Sequence, residues 1–93
     1  MTITRINEFH AREGEGEAFR ALVESILPEI RAAEGCRSCQ LLQRHDDASR
    51  LIVIEVWDSI EAHQAARHQI PSGNMIEAMK LLASPPSGQY YRA

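Results

Sequence analysis

The chain has little of what usually marks a cofactor site or a covalent scaffold. It holds two cysteines, one tryptophan, two tyrosines and two phenylalanines in 93 residues. Both cysteines lie in one C-x-x-C, Cys36-Arg37-Ser38-Cys39, with no second pair to complete the four ligands of a structural zinc site. His10, His45, His63 and His68 stand at no zinc-finger spacing from it, so no metal site is expected. Lysine is almost missing: nine of the ten cationic residues are Arg, they are scattered, and the formal net charge is −3, so the footprint of a nucleic-acid binder is absent. No apolar run approaches the roughly 18 residues of a membrane span, and MTITRINEFH lacks the apolar core of a signal peptide. Two closely spaced cysteines without such a signal point to a reducing, cytoplasmic setting. A Gly-rich phosphate loop, internal repeats, low-complexity stretches and linkers are also missing.

What is present is ordinary globular composition, 44% hydrophobic and 25% charged, which argues against disorder. Residues 1–93 read as a single domain, and a domain of this size buries only about 60–65% of its unfolded surface, so association would help it. Residues 2–11 alternate Ile3, Arg5, Asn7, Phe9 against Thr4, Ile6, Glu8, His10, the period of a strand. After REGEGE, Phe19, Leu22, Val23, Ile26, Ile30 and Ala33 form a helical stripe over about Glu15–Ala33. Pro28 lies inside it and predicts a kink rather than a stop; Gly35 suits the residue just past the helix end. Cys36–His45 and Arg50–Trp57 read as a hairpin joined by DDAS. Asp58 or Ser59 caps a helix that Ile70-Pro71-Ser72-Gly73 ends near Gln69. A short helix over Asn74–Ala83 and a strand over Gln89–Arg92 complete a β-α-β-β-α-α-β order: an α+β, ferredoxin-like βαββααβ plan with a four-stranded antiparallel sheet.

This plan disposes of the C-x-x-C. Catalytic pairs open a helix, whose N-terminus lowers a thiol pKa. These cysteines open a strand, where residues three apart face opposite sides, so packing of Cys39 is the expected role. The strand Leu51-Ile52-Val53-Ile54-Glu55-Val56-Trp57 is apolar on both faces, and one helix layer covers only one of them. A partner subunit is the economical cover for the other.

The words REGEGEAFRALV, EGCRSCQLLQRHDD and LIVIEVWDSIEA resemble, in order and spacing, the antibiotic biosynthesis monooxygenase family of dimeric α+β barrel proteins. The passage Glu55-Val56-Trp57-Asp58-Ser59-Ile60-Glu61-Ala62 is the most specific part. The resemblance implies a homodimer whose two sheets face each other to form the barrel, with a small-molecule cavity between each sheet and its own helices. It also implies monooxygenase activity without a cofactor on a quinol or polycyclic phenol, the partners being that small aromatic substrate and O₂. Such a site needs an apolar pocket, a base for the phenolic proton and donors for the resulting oxyanion. A non-oxygenase member of the same fold, binding or isomerising a ligand, is the alternative.

Asn7 is an amide in mid-strand, where Asn is disfavoured and is often kept for its hydrogen bonds. It also matches a pocket Asn of the family. His63 and His68 lie on the second helix, where many family members carry a His, although the family positions fall on Ala66 or Arg67. With Asn7 they form the expected catalytic set; Phe9, Trp57 and Arg67 are assigned to substrate binding. Glu55, a carboxylate in an apolar run, requires a partner, with Arg44 or a group across the dimer as candidates. The family's heme-degrading branch has a Trp that would fall near Ala66 and an iron-ligating His near Ile76 or Glu77; both are missing here, so heme degradation is set aside.

Overall fold

The computed structural model describes residues 1–68 and 73–93. The elements follow the expected order: β1 (Ile3–His10), α1 (Gly16–Ala32), β2 (Cys36–Gln43), β3 (Arg50–Trp57), α2 (Ile60–Arg67), α3 (Gly73–Met79) and β4 (Ser87–Tyr91). The strands form one sheet in the order β2-β3-β1-β4, every neighbouring pair antiparallel. This is the α+β, ferredoxin-like architecture. No helix among the described residues is long and apolar enough to cross a membrane.

The core lies between one face of the sheet and the helices. In β3, Leu51, Val53, Glu55 and Trp57 are buried under the helices, while Ile52, Ile54 and Val56 point the other way and stay half-buried. From α1 the core takes Phe19, Val23, Ile26, Leu27 and Ile30, with Leu22 and Ala33 packed at its margin. The helix runs through Pro28 to Ala32, as its unbroken apolar stripe demands. Gly35 follows with φ of 87°, a left-handed conformation that costs glycine little and lets the chain reverse into β2.

One local alternative is resolved and one helix end moves. Ser59, not Asp58, caps α2, its Oγ accepting from the Ala62 N–H at 3.0 Å; Asp58 instead accepts from Arg37 Nε at 2.6 Å. The stop signal Ile70-Pro71-Ser72 lies outside the described residues. Helix α3 ends at Met79 rather than Ala83. The Leu81 and Leu82 amides reach back three residues to Ala78 and Met79, a tighter turn that swings Leu82 into the core.

The cysteines also depart from expectation. Cys36 pairs with Trp57 and Cys39 with Glu55, because a register shift between Cys36 and Ser38 accommodates one extra residue. A bulge of this kind reverses the alternation, so both cysteines share the helix-covered face instead of opposite faces. Cys39 is buried, Cys36 half-buried against the core, and both are free thiols. Burial pushes the Cys39 thiol up to about 12, with the Glu55 charge adding to it, which suits packing and not catalysis.

Candidate active site

Between the sheet and the helices lies a cavity of about 370 Å³. Val23, Ile26 and Ile30 of α1, Met75 and Met79 of α3, and Val53 of β3 give it an apolar wall. Arg5, Asn7 and Glu55 enter it from the same face of β1 and β3, where register sets Arg5 opposite Glu55 and Asn7 opposite Val53, and His63 and Arg67 enter from α2.

Glu55 is the centre. It is 5% exposed, and both its carboxyl oxygens are occupied: Trp57 Nε1 donates to Oε1 and Asn7 Nδ2 to Oε2, each at 2.9 Å. Burial pushes this carboxyl above its ordinary value. The Trp57 donor, the Arg5 charge, the Asn7 donor and the Arg67 charge pull the other way without cancelling the effect. A carboxylate in that state is a better proton acceptor than a solvated one.

His63 projects from α2 and is also 5% exposed. Burial, then the positive charges of Arg5 and Arg67, lower its pKa to about 4, so the ring is neutral at pH 7. Its Nδ1 lies 2.6 Å from the Tyr90 hydroxyl, and its Nε2 lies 3.8 Å from Glu55 Oε1. A lone pair on Nε2 would face the lone pairs of the carboxylate. The favourable tautomer therefore carries the proton on Nε2, with the Tyr90 hydroxyl donating to Nδ1. Trp57 and Tyr90 hold the ring edge-on, each with centroids 5.4 Å away.

Asn7, Phe9, Trp57, His63 and Arg67 all line the cavity. His68 does not: it is the exposed C-cap residue of α2, outside the lining. Glu55 finds its partners within the chain, Asn7 and Trp57, and not Arg44, which pairs with Asp46 at the hairpin end. Glu55, Arg5 and Tyr90 are not among the expected site residues, Glu55 being marked only as a carboxylate that needs a partner. Strand alternation does put Arg5 on the Asn7 face, and that was the available signal. Nothing local in GQYY marks Tyr90, whose place beside Arg5 follows from the pairing of β4 with β1.

The sequence profile of the antibiotic biosynthesis monooxygenase family matches residues 2–77. The chain belongs to this family. Membership supports a monooxygenase-type function. Among solved structures, Rv0793 from Mycobacterium tuberculosis is 25% identical with a TM-score of 0.81, covering 100% of this chain and 95% of its own. SnoaB from Streptomyces nogalater, a cofactor-independent oxygenase, is 19% identical with a TM-score of 0.84, covering 99% and 92%. SO0527 from Shewanella oneidensis is 23% identical with a TM-score of 0.84, covering 97% and 88%. At such identity the last two speak for the fold alone. None of the curated proteins compared matches the chain.

Proposed function

We propose that the protein is a cytoplasmic, cofactor-independent monooxygenase acting on a quinol or polycyclic phenol, and that it works as a homodimer. The observation that carries this reading is a buried carboxyl, held by Asn7 and Trp57 and pushed by burial above its ordinary value, on the wall of a cavity whose other side is apolar. Glu55 takes the phenolic proton. The second Nδ2 hydrogen of Asn7 and the Nε2–H of His63 hold the oxyanion. The electron-rich anion passes one electron to O₂, and the resulting radical and superoxide combine at a ring carbon that bears hydrogen. The proton on Glu55 goes to the peroxide. Cleavage of the O–O bond with loss of the carbon-bound proton leaves a carbonyl and one water. One oxygen atom enters the product, the other enters water, and the substrate supplies all the electrons. The apolar wall favours the neutral phenol on entry and keeps water from the radical pair.

The dimer reading rests on the face turned away from the helices. Ile6, Ile52, Ile54 and Val56 are half-buried there, while Leu42 and Tyr91 are 40% and 51% exposed. A second sheet packed on this face would cover them.

The test is O₂ uptake with a panel of quinols and polycyclic phenols, with ¹⁸O₂ to count atoms in the product. Uptake with one labelled atom retained, reduced at least about a hundredfold in Glu55→Gln, is the expected result. No uptake above blank across the panel refutes the oxygenase reading. It would favour the ligand-binding or isomerase alternative, for which the same base and Nε2–H donor suffice.

A further inference from the structure

The cavity contains a charge that the reaction above does not use. Arg5 reaches from β1 across the edge of β4. Its Nε donates to Asn7 Oδ1 at 3.0 Å, and its Cζ lies 4.6 Å from the centroid of the Tyr90 ring. Gly88 makes the path: a Cβ there would collide with the Arg5 guanidinium and with Asn7 Oδ1. The side chain is thus fixed by one hydrogen bond, one aromatic face and one glycine, while lining the cavity half-buried. Among the described residues no carboxylate forms an ion pair with it or with Arg67, the exposed second cation of the lining. Asn7 accounts for this. Its amide stands between Arg5 and Glu55, accepting from the cation and donating to the acid.

A guanidinium held in place with no side-chain carboxylate paired to it can take an anionic group of a ligand by charge-assisted hydrogen bonds. Deprotonation of a phenol by Glu55 does not supply that group, because the new oxyanion only replaces the carboxylate charge that Glu55 gives up. With two Arg side chains at the cavity and one negative charge shared between Glu55 and the phenolate, one further negative charge is accommodated. We infer that the ligand is a hydroxylated aromatic that carries a separate carboxylate, and that Arg5, held by Asn7, Tyr90 and Gly88, is the seat of that carboxylate. This narrows the substrate class of the proposed function and rests on its cavity, but not on its oxygen chemistry.

The probes are 3-hydroxy-2-naphthoate and its neutral isostere 3-hydroxy-2-naphthamide, titrated into the 93-residue chain at pH 7. Binding is read by quenching of Trp57, the single tryptophan, which lines the cavity. A charge-assisted hydrogen bond predicts that the carboxylate binds about tenfold tighter or more. Arg5→Gln should bring the ratio to about twofold or less with the amide's Kd little changed, and Arg67→Gln, at the exposed rim, should lower it about threefold at most. Equal wild-type affinities overturn the inference, whether or not Arg5→Gln folds. So does failure of both probes to bind, a ratio that survives Arg5→Gln, or one that collapses only in Arg67→Gln. A protein that prefers the carboxylate but consumes no O₂ would refute the oxygenase reading and keep this one. One that oxidises neutral quinols yet binds both probes equally would do the reverse.

Discussion

His63 gives the most quantitative consequence of the site. Its pKa is lowered from 6.5 to about 4. Above pH 6.5 the ring is neutral in the folded and unfolded chains, and its contribution to stability is fully present. Between pH 6.5 and about 4 the unfolded chain binds a proton that the folded one refuses, so stability falls as pH falls. At about 1.4 kcal/mol per pH unit the whole loss is on the order of 3 kcal/mol, a large share of the 5–15 kcal/mol typical of a domain. Glu55 has the opposite sign: with its pKa raised, it favours the fold at low pH and loses that contribution as pH rises above the ordinary carboxylate range. The total pH profile mixes both, and a comparison with His63→Phe isolates the first. Phenylalanine keeps the edge contacts to Trp57 and Tyr90 but loses the acceptor at Nδ1, and the Tyr90 hydroxyl, on a half-exposed residue, turns to water at a cost of about 1 kcal/mol. Wild type is then the more stable protein at pH 7, and the variant the more stable at pH 4.5. Their curves cross at roughly pH 5.5–6. Urea unfolding followed by Trp57 fluorescence at one protein concentration reads the crossing. The His63 ring nitrogens, assigned by NMR against the variant, give the tautomer. Parallel stability curves down to pH 4.5, a midpoint near 6.5, or a proton on Nδ1 refutes the reasoning.

Two other outcomes are expected. Native mass at micromolar concentration should be about twice the 10.5 kDa of the chain, and Ile54→Lys, which puts a charge at the centre of the uncovered sheet face, should give monomer or aggregate with an intact helix signal; a well-folded wild-type species at 10.5 kDa would sink the dimer. Iodoacetamide at pH 8 should leave Cys39 unmodified until the chain is unfolded, since its thiol sits at about 12 and is buried; native-state labelling of Cys39 at the rate of a free thiol would contradict that environment.

The element order was legible because each signal is local. The stripe of Phe19, Val23, Ile26 and Ile30 and the alternation of β1 need no knowledge of what lies across the sheet. The run in β3 likewise showed locally that this strand presents apolar side chains to both faces of the sheet. The bulge beyond Cys36 was not legible: one residue slipped out of register has no compositional mark, and it moves a cysteine from one face to the other. The site was legible by half. Asn7 stood out as a misfit in a strand, and Glu55 as a carboxylate needing a partner, yet that each answers the other depends on β1 pairing with β3. His63 and His68 were indistinguishable by type, and only the rotation of α2 buries one and exposes the other. Arg5 and Tyr90 meet through a pairing 85 residues apart in sequence, Arg5 to Tyr90, which local periodicity does not report.

The choice of an amide at position 7 connects these parts. If Arg5 met Glu55 directly, a buried ion pair would hold the acid low and occupy the cation, leaving neither a base nor an anion seat. An aliphatic residue there would strip one donor from Glu55 and the acceptor from Arg5 Nε. An aspartate would pair with Arg5 and repel Glu55. Asparagine has a donor and an acceptor on one short stem, so it satisfies both neighbours while keeping their charges apart. Burial can then raise the Glu55 carboxyl even though a guanidinium stands on the adjoining strand. An amide disfavoured in a β-strand is thus what lets a carboxyl and a guanidinium line the same cavity without pairing.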